Sequence, residues 1–127
     1  MTTLTEGRHP GEAILSEATK SRSRDNIIIP SGTGIVAAGT VLGEITASPG
    51  EYAPSPHAEE AGIEGAETAS AMNIHAVDAT DRDVAVAAIT RDAELNGSCL
   101  EFEATVDDDA KKATKSDQLA AAGIIVR

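Results

Sequence analysis

The chain has 127 residues and a formal net charge of −11, from 10 basic and 21 acidic residues. This length suits one domain, and the charge argues against nucleic-acid binding because phosphate backbones repel an anionic surface. With 2% aromatic residues, the core must be built from aliphatic side chains, and a small core of this kind favours an oligomer. We expect no membrane association, since neither a signal peptide nor an apolar run of about 18 residues is present.

The N-terminal segment, residues 1–11, is polar and contains Gly7, Pro10 and Gly11. This composition predicts a flexible arm. Residues 12–127 are predicted to form a single β-rich domain with no second domain and no internal repeat.

Short apolar segments in the first half of the chain favour β structure. Three consecutive β-branched residues, Ile27–Ile29, predict a strand, which Pro30 ends, and Ser31–Gly34 supplies a turn. The extended segments predicted here are Ala13–Leu15, Ile27–Ile29, Ile35–Ala38 and Thr40–Thr46.

The character of the chain changes between Ala47 and Ser70. This stretch contains three prolines, three glycines and five glutamates but no basic residue. It predicts a long, exposed loop, with Tyr52 in a short strand or turn near its start. The wider gap without Lys or Arg extends from Arg24 to Arg82 and predicts an anionic, soluble face.

The second half of the chain predicts strand, turn and strand at Met72–Val77 and Val84–Thr90. The second of these runs is apolar on both faces, so we expect it to be buried on both sides or at a subunit interface. A further strand is predicted at Leu95–Glu103, and one short helix at Ala110–Ala122. The helix follows three aspartates that can cap it and precedes Gly123, where it is expected to end before a strand at Ile124–Val126.

No residue pattern in the chain calls for catalysis, a metal or a cofactor. The three histidines, His9, His57 and His75, are scattered, whereas a zinc site needs convergent ligands. The aspartates of the 78–83 turn lack the glycine and glutamate of a calcium loop, and no phosphate loop or nucleophile elbow is present. The single Cys99 excludes an intramolecular disulfide, fits a reducing cytoplasm, and is predicted to be a small core residue in a strand.

Four segments together resemble the head decoration proteins of tailed bacteriophages, the lambda D-like capsid stabilisers. The first is Asp25–Thr46, DNIIIPSGTGIVAAGTVLGEIT, in which glycines flank the second apolar run. The others are His9–Ala18, Ala85–Gly97 and Leu119–Arg127. They occur in the order of the family and together span most of the chain.

The resemblance implies a compact β-tulip-like or barrel-like fold with one C-terminal helix that assembles as a homotrimer. Family trimers sit outside the expanded head at three-fold positions, where they brace the major capsid protein against the pressure of packaged DNA. The protein would be made in the host bacterial cytoplasm and reside in the virion, with no cofactor, small-molecule substrate, nucleic-acid or membrane partner. The resemblance also implies that the arm orders on the capsid and adds a strand to it, through Arg8, His9, Pro10, Gly11, Glu12, Ala13, Ile14 and Leu15.

Two alternatives remain open from the sequence. One is another structural accessory module of the virion, in the tail or a fibre. The other is an enzyme whose site is assembled between subunits. The resemblance assigns no role to the Glu-rich loop, Ala53–Ala69. A lipoyl- or biotinyl-carrier fold is not favoured, because the chain places no lysine at a hairpin tip.

Overall fold

A computed structural model describes residues 5–127 of the chain. These residues form ten β-strands and one α-helix, so the prediction of a mainly β fold with one C-terminal helix is confirmed. In chain order the strands are β1 (Ile14–Glu17), β2 (Arg24–Ile29), β3 (Gly34–Val36), β4 (Val41–Glu44), β5 (Tyr52–Pro54), β6 (Ala69–Asn73), β7 (Val77–Ala79), β8 (Val84–Ile89), β9 (Ala93–Leu95) and β10 (Ile124–Val126), with helix α1 (Asp109–Ala121) before the last strand.

The strands form three sheets. The largest has five strands in the order β2-β8-β6-β4-β5, and it is flanked by a three-stranded sheet, β1-β9-β10, and a two-stranded sheet, β3-β7. A single parallel bridge connects Ile28 of the outer strand β2 to Glu51, the residue before the other outer strand, β5. One bridge brings these edges together but does not make a ladder, so the expected barrel-like fold is corrected: the sheets of residues 5–127 form no closed barrel.

Two apolar clusters cover the two faces of the large sheet. One cluster joins Met72 and Ile89 to the three-stranded sheet and to Leu119 of α1, and the other joins Leu42 and Val86 to strands β3 and β7. Strand β8 contributes to both clusters. Its apolar character on both faces is therefore explained mainly by burial within the chain, although Ala85 is exposed.

The glycines that flank the apolar run of β4 are required by close approaches of the backbone. A Cβ atom at Gly43 would lie 2.0 Å from the carbonyl oxygen of Ala66. Gly39 has a φ of 80°, and a Cβ there would lie 3.1 Å from the carbonyl oxygen of Cys99. The part of the Glu-rich loop around Ala66 therefore packs directly on β4, and Ala66 itself is fully buried.

Local signals placed most elements correctly. Strand β2 ends at Ile29, directly before Pro30, and helix α1 begins where Asp108 Oδ1 accepts a hydrogen bond from the backbone N–H of Lys111 at 2.8 Å. The helix is followed by Gly123 with a φ of 86°. The short strand or turn predicted at Tyr52 is confirmed as β5. The exposed loop predicted for the rest of 47–70 is only partly correct, since Ser55 and Ala66 are buried and Ala69 begins β6.

Two predicted strands are wrong. The run Met72–Val77 does not form one strand, because the side chain of Asn73 accepts from Thr40 N and donates to the carbonyls of Ala37 and His75, which ends β6. The predicted strand at Leu95–Glu103 is replaced after Leu95 by a 3₁₀-helix at Gly97–Cys99.

This 3₁₀-helix is capped by Asn96, whose side chain accepts a hydrogen bond from Ser98 N at 3.1 Å. Cys99 is partly exposed within it. The prediction that Cys99 lies in a strand is therefore wrong, and the residue is not fully buried, although it packs against the main apolar cluster. Within residues 5–127, α1 is not long or apolar enough to cross a membrane.

Candidate functional site

The arm predicted from the sequence runs along the domain before it enters β1. Arg8 anchors it: its Nε donates a hydrogen bond to Glu101 Oε1 at 2.8 Å, and its Nη2 donates to the carbonyl of Ser98 at 3.1 Å. The carboxylate of Glu101 raises the pKa of the Arg8 guanidinium through this bond. Both side chains are partly exposed, and exposed ion pairs of this kind contribute little to stability. The contact is therefore one that a stronger partner can replace.

A tight turn connects this anchor to the first strand. His9 N donates to Glu12 Oε2 at 3.1 Å, and the N–H of Ile14 donates to the carbonyl of Gly11 at 3.1 Å. Gly11 has a φ of 70°, which glycine adopts without strain. Its N–H donates to the carbonyl of Ile74 at 3.2 Å, so the turn is fixed to the domain.

The chain is integrated into the fold from Ala13 onward. Ala13 is 2% exposed and belongs to the main apolar cluster, while its carbonyl accepts a hydrogen bond from Asn96 N at 2.7 Å. Ile14 pairs with Leu95 of β9 in antiparallel register. The end of the predicted site is thus already part of the three-stranded sheet.

Strand β1 lies at the edge of that sheet. Its other edge has no strand partner among residues 5–127, and the ladder shifts register between Ile14 and Ser16. Leu15 lies at this irregularity with 54% of its surface exposed. An edge strand presents unpaired backbone donors and acceptors, to which another chain can add.

The structure therefore divides the eight predicted site residues into two groups. Arg8, His9 and Pro10 are exposed and lead into the turn, with His9 Nε2 lying 2.5 Å from Glu6 Oε1. Gly11, Glu12, Ala13, Ile14 and Leu15 form the turn and the start of β1. Residues 1–4 of the predicted flexible arm lie outside the described residues, and the mobility of residues 5–11 stays a prediction.

The partners of the arm within the domain could not be predicted from the sequence. Glu101 is held in place by backbone hydrogen bonds with Gly39 and Val41, so the anchor for Arg8 is built from two segments far apart in the chain. No sequence signal links these segments. The pairing of Ile14 with β9 was also missed, because registers between distant strands depend on tertiary packing.

A buried lysine is the second feature that the sequence analysis missed. Lys115 is 1% exposed, and its Nζ donates to Ser55 Oγ at 2.9 Å and to the carbonyls of Pro56 and Glu67 at 2.6 and 2.5 Å. Desolvation lowers the pKa of Lys115, while the charges of Glu67 and Glu103 oppose this. The sequence did contain an indication of this burial, because Lys115 precedes the buried Leu119 by four residues and so lies on the same helix face.

The lysine binds the Glu-rich loop to the helix. Three of its four acceptors belong to the segment 55–67, and the fourth is Gln118 Oε1 of the helix at 3.4 Å, so the ammonium is enclosed by protein. This arrangement is that of a structural contact and not of a lysine presented to a substrate.

Metal-binding groups do not cluster in the part of the chain that the structure describes. Among residues 5–127 no three His, Cys, Asp or Glu side chains lie close enough to hold a metal ion. In the 78–83 turn, Asp78 Oδ1 accepts from Thr80, and Asp83 Oδ1 accepts from Ser31 N at 2.7 Å. These carboxylates stabilise turns.

The described residues form a β-rich domain with an exposed N-terminal segment and an open strand edge at β1. The family model of bacteriophage lambda head decoration protein D matches residues 3–124. This match covers nearly the whole chain, so the chain belongs to that family and the resemblance is confirmed. No curated protein matches the chain individually.

Membership gives the chain its general function. It is a phage capsid decoration protein, which binds the capsid and is a structural component of the virion. The family is one of structural proteins and not a known enzyme family.

Proposed function

We propose that the protein decorates the outside of the expanded phage head as a homotrimer at three-fold positions, with the major capsid protein as its partner. Each trimer would brace neighbouring capsid subunits against the pressure of packaged DNA. Three weak attachments held in one rigid body gain strongly from effective concentration. The protein would be synthesised in the host bacterial cytoplasm and would then attach to the head.

Attachment is assigned to the arm and the open edge of β1. The observation that carries this assignment is the position of β1 at the end of the three-stranded sheet, with no partner on its outer edge within residues 5–127. An extended capsid segment can form backbone hydrogen bonds along this edge. The exposed Leu15 then offers apolar contact area beside the new strand.

The contacts of the arm with its own domain are compatible with a change of partner. Residues 5–10 are exposed, and Arg8 is held by an exposed ion pair and one carbonyl. On binding, the arm would exchange these few contacts for a longer ladder of hydrogen bonds. The turn at Gly11 and the buried Ala13 would stay in place and act as the fixed base of the arm.

The direct experiment mixes the purified protein with expanded, undecorated heads and measures the bound fraction. We expect saturable binding near one chain per capsid subunit. A protein that stays in the supernatant at micromolar concentration, or binds without saturation, would contradict a decoration role at defined sites.

A truncation isolates the contribution of the arm. Deleting residues 1–10 removes the bonds of His9 to Glu12 but keeps the bond of Gly11 to Ile74 and the core contact of Ala13, so we expect a small fall in melting temperature but strongly weakened head binding. Ile14→Pro should also weaken binding because proline removes a backbone donor and fixes φ, although the loss of its bond to Gly11 should cost some stability.

Glu6→Ala is the matched control for the arm, since Glu6 is exposed and the polar interaction of its side chain within residues 5–127 is with His9. It should bind heads normally. Unchanged affinity of the truncated protein would show that the attachment surface lies elsewhere on the molecule.

A further inference from the structure

A groove on the surface of the domain has an apolar floor and an acidic rim. It has a volume of 510 Å³ and is walled on one side by the turn that follows β2, Pro30–Thr33. Ile45, Ala53 and Ile63 contribute apolar surface, and Glu51, Glu60 and Glu103 contribute carboxylates. No basic side chain lines it.

Two of these carboxylates lack a partner in the described part of the chain. Glu103 accepts hydrogen bonds from Thr105. The side chains of Glu51 and Glu60 make no hydrogen bond or ion pair with any of residues 5–127. The groove therefore suits a segment with Lys or Arg side chains. Their aliphatic parts can pack on the isoleucines while their charged ends reach the glutamates.

The chain itself carries such a segment in the turn between β1 and β2, residues 19–23, called here the basic loop. Its two cationic side chains, Lys20 and Arg22, are exposed and make no side-chain bond within residues 5–127. By contrast, the neighbouring Arg24 and Arg91 are bound to Glu17 and Asp25.

The basic loop is held in a defined shape. Arg91 Nη1 donates to the carbonyl of Arg22 at 2.8 Å, and the N–H of Arg24 donates to the carbonyl of Ser21 at 3.1 Å. Lys20 has a φ of 64°, in the left-handed region that lysine rarely adopts. The loop therefore presents its two free cations from a fixed backbone.

Loop and groove lie at opposite ends of the same strand. Strand β2 begins at Arg24, next to the loop, and ends at Ile29, next to the Pro30 wall of the groove. A strand of this length spans about 17 Å at roughly 3.3 Å per residue. The basic loop and the Pro30 wall of the groove are thus separated by the length of β2, which leaves both surfaces available to a second copy.

We infer that the basic loop of one copy binds in the acidic groove of the next, which makes this pair of surfaces the contact between subunits of the proposed trimer. Such a contact joins unlike surfaces, so it is repeated head to tail and forms a closed ring when the rotation between copies is one third of a turn. With a net charge of −11, two copies repel each other in most orientations. Only orientations that bring a cationic surface to an anionic one are favoured at long range. The inference rests on the trimer in the proposed function, not on the attachment of the arm.

The test measures self-association of the whole protein by sedimentation equilibrium. Lys20→Glu with Arg22→Glu, or Glu51→Lys with Glu60→Lys, should weaken association at least roughly tenfold, since each pair places like charges together. The chain with all four substitutions restores opposite charges at every contact and should associate again. Lys112→Glu with Arg127→Glu, which changes the net charge as the loop pair does but lies outside both surfaces, serves as the control.

Salt dependence gives an independent measurement. Raising the ionic strength from about 50 to about 500 mM screens the attraction between loop and groove and also the repulsion between two copies of net charge −11. The double variants place like charges together, so their association should strengthen relative to that of the unmodified protein, and the roughly tenfold gap between them should close. Unchanged association of both double variants, or no recovery in the fourfold variant, would overturn the inference.

Head binding separates this inference from the proposed function. If the double variants associate normally but lose their affinity for heads, the groove takes a basic segment of the capsid instead of a second copy, and the inference fails while decoration stands. If the unmodified protein is a monomer at micromolar concentration yet decorates heads, the inference fails in the same way. If the unmodified protein self-associates but does not bind heads, the decoration role is refuted instead.

Discussion

Replacing Lys115 by methionine tests whether the buried ammonium stabilises the fold. Methionine keeps the length and most of the volume of the side chain but removes its three donors. The carbonyls of Pro56 and Glu67 would then lose the partner that Nζ provides at 2.6 and 2.5 Å. Ser55 Oγ would remain satisfied, because it also donates to the carbonyl of Ala66 at 2.6 Å.

The expected loss follows from these two acceptors. A buried acceptor left without a partner costs about 1–3 kcal/mol, so the two carbonyls together account for about 2–6 kcal/mol. The substitution also removes the cost of desolvating an ammonium, which offsets part of this loss. We expect a net destabilisation of about 2 kcal/mol, or a fall in melting temperature of roughly 7 °C for a chain of this length.

Thermal unfolding followed by circular dichroism measures this effect. Protein concentration must be equal in all samples, because the melting temperature of an oligomer depends on it. Lys112→Met is the matched control on the exposed side of the same helix, and it should change stability by about 0.5 kcal/mol or less. If Lys115→Met melts at or above the temperature of the original protein, burial of the charge costs more than its hydrogen bonds contribute, and the reasoning is refuted.

Two further substitutions test the packing and the electrostatics. Gly43→Ala should destabilise the domain by about 3 kcal/mol, because its Cβ would lie 2.0 Å from the Ala66 carbonyl oxygen; Gly7→Ala, with open space around it, is the control, and equal melting of both variants would contradict the close approach. Glu17 accepts from Arg24 and Ser23, which lower its pKa below the usual 4.5. Its ionised form therefore contributes stability that is complete above pH 4.5 and is lost as pH falls through the folded-state pKa. Glu17→Gln should be less stable at pH 7 and less sensitive to acid in chemical denaturation, whereas parallel acid curves would refute this role.

The elements predicted correctly from the sequence are those specified by neighbouring residues. Ile27–Ile29 followed by Pro30 defines a strand and its end, and the aspartates before α1 with Gly123 after it define a helix. Each signal acts within a few residues, so no knowledge of the tertiary structure is needed.

The errors arose where distant residues decide the local structure. Asn73 ends β6 because its side chain binds Ala37 and Thr40, more than thirty positions away. The expected barrel-like fold was wrong because closing the five-stranded sheet into a barrel requires a ladder of backbone hydrogen bonds between β2 and β5. These strands are distant in sequence, and the sequence pattern does not specify how many such bonds form.

The candidate site was predicted only as a stretch of sequence. The residues from Arg8 to Leu15 could be named from the resemblance, but their division at Gly11 into an exposed part and a packed part could not. That division depends on the hydrogen bond from Gly11 to Ile74 and on the burial of Ala13. The groove and its unpaired glutamates were likewise beyond the sequence, which indicated only an acidic loop.

The order of strands in the three-stranded sheet, which combines an antiparallel and a parallel pair, determines when the protein can finish folding. Strand β9 lies between β1 and β10, so this sheet needs segments from both ends of the printed sequence. During synthesis β1 leaves the ribosome early and must wait until Ile124–Val126 has emerged before all three strands can join. Pairing of such distant segments is slow, because the chain between them must first be ordered. We expect refolding to end with a late phase in which Lys115 and the three-stranded sheet become protected from hydrogen exchange together, after the five-stranded sheet has formed.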